Sequence, residues 1–154
     1  MRADKLAGLR DAGKITAAEH RAGQEIRLIV EFVDGGRLPM VRSQFSERLA
    51  SGGDGTGQMV SIEEAERERF APWKAWARRY PARRLPRPSV ETLEELTRLV
   101  VVRGCGVRQV ADALQIDQRN ALARLQHSLG WYALKAGWGG DENSRLTSHH
   151  VSVQ

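Results

Sequence analysis

The chain has 154 residues, with 24 Lys and Arg against 19 Asp and Glu, a formal net charge of +5 and a pI near 10.0. That length holds one domain with a real core or two small helical units, and the positive balance points to polyanions, nucleic acid first. A single cysteine, Cys105, excludes an internal disulfide and reads as a free, partly buried thiol in a reducing compartment. The longest apolar run, LVVV at 99–102, is far short of a membrane span. Met1 is followed by polar, alternating residues rather than a leader. A cytoplasmic, nucleoid-associated protein with no membrane partner is therefore expected.

Residues 4–11, DKLAGLRD, make a short helix that Ala12-Gly13-Lys14 stops. Thr16 and Glu19 then have the spacing of a capping box, in which each side chain accepts the other residue's free backbone N–H. Ala18, Ala22, Ile26, Ile29, Val30 and Val33 recur every three to four residues, and Asp34-Gly35-Gly36 ends the run, so a helix over 16–33 is predicted.

Residues 37–60 are weakly patterned. Pro39 and the glycines of SGGDGTG (51–57) read as a flexible connector. GGDGT resembles the phosphate-binding loop of diacylglycerol and NAD kinases. That loop needs a buried strand before it, and FSERLAS supplies none.

Ser61 and Glu64 repeat the capping-box spacing. Ile62, Ala65, Phe70, Trp73, Trp76, Ala77 and Tyr80 follow at helical intervals, with Glu63, Glu64, Glu66 and Glu68 near the favoured N-terminal end. Pro72 lies inside this run, where a straight helix would lose about 3 kcal/mol. The helix either kinks at Pro72 or restarts there.

Residues 71–90 carry Lys74, Arg78, Arg79, Arg83, Arg84 and Arg87 and no acid, while Pro81, Pro86 and Pro88 forbid regular helix. The stretch reads as an extended basic linker between two helical halves. It is either a solvated hinge or an arm laid along phosphates or in a minor groove, where arginine fits the narrow negative channel. Ser89 is the expected N-cap of a helix over 90–103, whose apolar face holds Val90, Leu93, Leu96 and Val100; Gly104 and Gly106 end it. The tail after Gly137 is polar and patternless and is expected to be mobile, and His149 and His150 are too isolated for a metal site.

Between these lies VRQVADALQIDQRNALARLQHSL (107–129), which has the pattern of a helix-turn-helix. Ala111 is small enough for a steep crossing; Val110, Leu114 and Ile116 face the core beneath it. Ala121, Leu122, Leu125 and Leu129 form the inward stripe of a second helix. Its polar remainder is Gln118, Arg119, Asn120, Arg124 and His127, and no acid occurs from Gln118 to Gly140. The helix over 90–103 would complete a trihelical unit. The turn position after Leu114, often glycine in such motifs, is Gln115, so the backbone there has either an ordinary φ or a mildly strained one. An unrelated αα-hairpin is the competing reading.

The fold expected is thus all-α: an N-terminal helical region (1–80), a basic linker (81–89), a helix-turn-helix unit (90–138) and a tail (139–154). Gln and Asn can read adenine bidentately, and Arg can read guanine or pair with phosphate. The expected contacts to double-stranded DNA are Arg108, Gln109, Gln118, Arg119, Asn120, Arg124 and His127 from the motif, with Arg78, Arg79, Arg83, Arg84 and Arg87 from the basic stretch. Trp131, Tyr132 and Trp138 would pack the last helix against the N-terminal half or a partner.

The 107–129 segment resembles the fourth conserved region of sigma factors and the output domains of response regulators, with Ala121 followed by Arg124-Leu125 along the recognition helix. More broadly, residues 14–138 are similar to an uncharacterised domain of alphaproteobacterial regulators that includes activators of gene transfer agent clusters, which are domesticated prophages. The specific part of that similarity is the C-terminal third. The resemblance implies promoter binding through Gln118, Arg119, Asn120 and Arg124, and action with RNA polymerase or a second regulatory protein. The chain carries no second sigma-like unit, and Gln115 departs from the usual glycine.

A homodimer is a further expectation, since one trihelical unit gives limited affinity and dimers read two half-sites. Two rival readings are a module that docks on RNA polymerase without touching DNA, and a small-terminase-like packaging component. The second is disfavoured by the C-terminal position of the motif and the lack of heptads after it. No nucleophile–base pair, paired carboxylates or metal constellation is legible, so neither an enzyme nor a cofactor is expected.

Overall fold

The computed structural model describes residues 5–35 and 61–138. The Gly-rich connector at 51–57 and the tail (139–154) lie outside the described residues. Within them the chain is all-α, as expected, and has no strand.

Helix α1, Lys5–Asp11, is short and ends where Gly13 takes a left-handed φ of 75°. Helix α2, Ala17–Asp34, starts at the expected capping box: Thr16 Oγ1 accepts from Glu19 N at 3.0 Å, and Thr16 N donates to Glu19 Oε1 at 2.9 Å. Its predicted face is buried at Ala18, Ala22, Ile26, Ile29 and Val30, with Ala22, Ile26 and Ile29 fully enclosed, and half-buried at Val33. Gly23 also sits on that face because a Cβ there would overlap Leu6 Cδ2 and crowd Val101 Cγ1.

Helix α3 joins Ile62–Ala65, a π-helical turn Glu66–Phe70 and Ala71–Ala77. Ser61 Oγ caps it by accepting from Glu64 N at 3.1 Å. The π turn answers the question raised by Pro72. Proline has no N–H and its ring collides with the carbonyl four residues back. Here the turn before it widens, with Ala71 N donating to Glu66 O five residues back, and the helix continues through Pro72.

Helix α4 is Leu93–Val101. Its start corrects the reading of Ser89 as cap. Thr92 Oγ1 accepts from Glu95 N, whereas Ser89 Oγ accepts from Arg83 N at 2.9 Å and donates to Glu91 O. Val90, assigned to the apolar face, is 92% exposed. The extended linker is corrected too. Residues 81–92 fold back on themselves: Ala82 N donates to Glu91 O, Ser89 N to Arg83 O and Leu93 N to Tyr80 O, and Pro81 bridges Thr92. Ala82 is fully buried at the base of this loop.

Helices α5, Val107–Leu114, and α6, Gln118–Lys135, follow. α6 is the central helix. It packs on α2, α3, α4 and α5. The helices on either side of 81–92 therefore share one core, with Trp73, Leu93, Leu96, Leu125, Leu129 and Tyr132 almost wholly buried. Each such apolar side chain contributes roughly 1.5–3 kcal/mol by leaving water.

Two buried polar networks cross this core. Trp73 Nε1 donates to Ser128 Oγ at 3.0 Å, and Ser128 Oγ lies 2.7 Å from Thr97 Oγ1, linking α3, α6 and α4. Glu25 on α2 is fully enclosed; its carboxylate meets Arg69 Nη1 at 2.8 Å and accepts from the Tyr132 hydroxyl. Burial raises the Glu25 pKa, opposed chiefly by Arg69 and then by Tyr132. Burial also raises that of Tyr132, followed by the neighbouring Glu25 charge. Beyond the end of α6, the guanidiniums of Arg21 and Arg69 lie over the Trp138 ring, 4.1 and 4.9 Å from its centroid. Tyr132 and Trp138 thus pack on the N-terminal half.

Candidate nucleic-acid interface

The crossing of α5 over α6 is set by the turn between them. Ile116 N donates to Ala111 O at 2.9 Å and Gln115 N to Asp112 O at 3.3 Å, the two bonds of a Schellman helix end. That end requires a left-handed residue, and Gln115 takes it with φ 57° and ψ 47°. The ends of α1 and α6 use the same bonds with Gly13 and Gly137 in the left-handed position. Among the described residues, Gln115 is the one non-glycine with positive φ. The departure from glycine noted in the sequence is therefore one of residue type, not of backbone geometry.

Val110, Ala111, Leu114, Ala121, Leu125 and Leu129 are buried at this crossing, as the pattern predicts; Leu122 and Ile116 are half-buried. The first turn of α6 leaves Gln118, Arg119 and Asn120 exposed, and Asp117 precedes it as N-cap residue. Further along, Arg124 is half-buried and His127 exposed. Asn120, Arg124, His127 and Trp131 are spaced by three or four residues and so form one stripe, about 16 Å long at 1.5 Å per residue.

The loop 81–92 is tied to this motif. Arg83 Nη1 donates to Gln115 Oε1 at 3.1 Å and approaches Leu114 O at 3.5 Å, while its Nε donates to Arg87 O. Arg84, from the same loop, comes close enough to α6 to act on two of its side chains. Desolvation and then the Arg84 charge lower the Arg124 pKa. Desolvation, then Arg124, then Arg84 lower that of His127, leaving its ring neutral at pH 7. Like charges from loop and helix are thus held together, and both segments are free of carboxylates over 71–90 and 118–138.

The twelve residues named from sequence fall into two groups. Arg79, Arg84, Arg87, Arg108, Gln118, Arg119, Asn120 and His127 are exposed, and Arg124 is half-buried. The other three make bonds within the chain, with Arg78 and Gln109 exposed as well and Arg83 half-buried. Arg78 Nε donates to the buried Glu94 carboxylate at 2.8 Å, joining the end of α3 to α4. Arg83 clamps the loop to the Gln115 turn. Gln109 Oε1 accepts from Gly106 N at 2.9 Å and so caps the start of α5.

Sequence reasoning did not pair Arg84 with Arg124, Arg83 with Gln115, or Trp76 with Trp131; these are contacts across long stretches of chain with no local signal. Glu25 had one. It falls three residues after Ala22 and four before Ile29, on the buried face of its helix. Comparison of the chain with protein-family models, with curated proteins and with solved structures finds no match.

Proposed function

We propose that this protein is a sequence-specific, DNA-binding transcription regulator whose helix α6 enters the major groove by its first turn. The observation that carries the reading is the Gln115 turn, which crosses α5 over α6 and leaves Gln118, Arg119 and Asn120 outside the core. These are side chains able to read base edges. Arg84 and Arg87 on the tied loop, with Arg124 on α6, offer cations suited to phosphate, which fixes register without reading sequence. The narrower reading is an activator of phage-like or gene transfer agent genes working with RNA polymerase or a partner activator. It rests on the sequence resemblance alone. A homodimer would supply the second half-site that one such unit needs for useful affinity.

The test is a mobility-shift assay with fragments of the regulatory regions of the source genome, including the protein's own. A specific retarded band that resists excess unrelated DNA is expected. Absence of any shift at low salt would sink the reading.

A further inference from the structure

Four rings gather where α3 crosses α6. Trp76 and Trp131 stack with centroids 4.7 Å apart and planes 7° from parallel. Tyr80 and His127 flank Trp76 at 5.4 and 5.2 Å. Both indoles are half-buried, and Tyr80 and His127 are exposed. Trp73, one turn before Trp76, is fully buried and meets Tyr132 edge to face. The core beneath the crossing is therefore filled, and the stacked pair stands at its rim.

Arg124 shares the α6 stripe of His127 and Trp131, and Arg83 fastens the loop that carries Arg84 to the turn before α6. Arg84 and Arg124 both act electrostatically on His127, and Arg84 acts on Arg124. Each indole turns one face to the other, and among the described residues Trp76 is the one ring against Trp131, so the outer face of Trp131 is what the pair offers. An aromatic face beside arginines takes single-stranded nucleic acid, because any unpaired base offers a π face and its strand offers phosphates. Bases inside a duplex are stacked on one another and cannot reach such rings. An acidic phosphate chain would also relieve the repulsion between Arg84 and Arg124.

We propose that the Trp76–Trp131 patch is a binding site for an unpaired base of a nucleic-acid strand, stacked on the indole pair with its phosphates on Arg84 and Arg124. This uses side chains other than the first turn of α6, and it goes beyond duplex reading. With about 16 Å between Asn120 and Trp131 along the helix, one strand of a duplex held at the first turn could continue onto the rings where the pairing opens.

The test is titration of the full chain with short oligo(dT) and oligo(rU) at low salt, followed by tryptophan fluorescence. Saturable quenching is expected with at least one of them; the tighter binder tells whether the strand is DNA or RNA. Trp131→Leu should weaken binding by roughly 5- to 100-fold, Trp131→Phe should retain most of it, and both should keep any shift of duplex DNA. Should Trp131→Leu lose its helical circular dichroism, Tyr80→Ser on the exposed ring replaces it, with a smaller loss in the same direction. The proposal is overturned by no saturable quenching with either strand, by quenching that these variants leave unchanged, or by a patch that captures a protein and no strand. Loss of duplex binding alone would instead count against the groove reading.

Discussion

Arg83 Nη1 lies 3.1 Å from Gln115 Oε1, so the basic loop is fastened to the one residue whose backbone the helix crossing forces into the left-handed region. A side chain at positive φ costs about 1 kcal/mol relative to glycine. Gln115 carries that cost and in return holds the loop against the turn.

The backbone part of this trade can be isolated. Gln115→Gly and Gln115→Ala both lose the bond to Arg83, yet only the alanine keeps the strained φ. Urea unfolding should find the glycine variant more stable than the alanine variant by about 1 kcal/mol. Equal stabilities would mean that the turn relaxes when the bond is cut.

Arg119 and the loop arginines should fail differently. If Arg119 reads a base, Arg119→Ala loses about 1–3 kcal/mol of affinity for the preferred site and relaxes discrimination there. Replacing Arg84 or Arg87 with serine should weaken binding evenly across sequences. It should also flatten the slope of log K against log salt by about 0.9 for each phosphate contact removed. Binding isotherms on matched and mismatched sites at several salt concentrations separate the two. An even loss for Arg119→Ala would reassign that residue to the backbone.

The enclosed Glu25–Arg69 pair makes the core sensitive to single substitutions. Removing one member of a buried ion pair leaves the other uncompensated and typically costs 3–5 kcal/mol, so Arg69→Ala should lose about that much at neutral pH. The sign of the pH dependence follows from the raised pKa of Glu25. The stability it contributes is full below the ordinary value of 4.5 and declines as pH rises through the higher folded value. The defect of Arg69→Ala should therefore shrink as the solution is made mildly acidic and the carboxyl takes up its proton. Chemical denaturation across that range measures it.

His127 has the opposite sign. Desolvation, Arg124 and Arg84 hold its pKa below the usual 6.5, so its contribution to stability is full above that value and is lost as pH falls through the folded one. A bound phosphate chain favours the imidazolium, so binding takes up a proton there. Nucleic-acid affinity should rise between about pH 7.5 and about pH 5.5, and His127→Gln should flatten that rise. A wild-type affinity independent of pH over this interval would remove His127 from the interface.

The sequence by itself determined the helices and most of their inner faces. Period and capping are local: Thr16 and Glu19 lie three residues apart, and Ala22, Ile26 and Ile29 share a face whatever α2 packs against. The crossing of α5 and α6 was legible for the same reason, because Ala111 and the stripe Ala121, Leu125, Leu129 encode it within 19 residues. Tertiary structure decided the rest. Proline and charge suggested an extended arm over 81–89. Pairing of Ala82 with Glu91 and of Arg83 with Gln115 closed it into a loop instead, since backbone groups beside a core find partners wherever the fold brings them. It was likewise the packing of α3 on α6 that stacked Trp76 on Trp131, and the tied loop that let the Arg84 charge act on Arg124. Those residues are 55 and 40 positions apart, and no local period of the chain relates them.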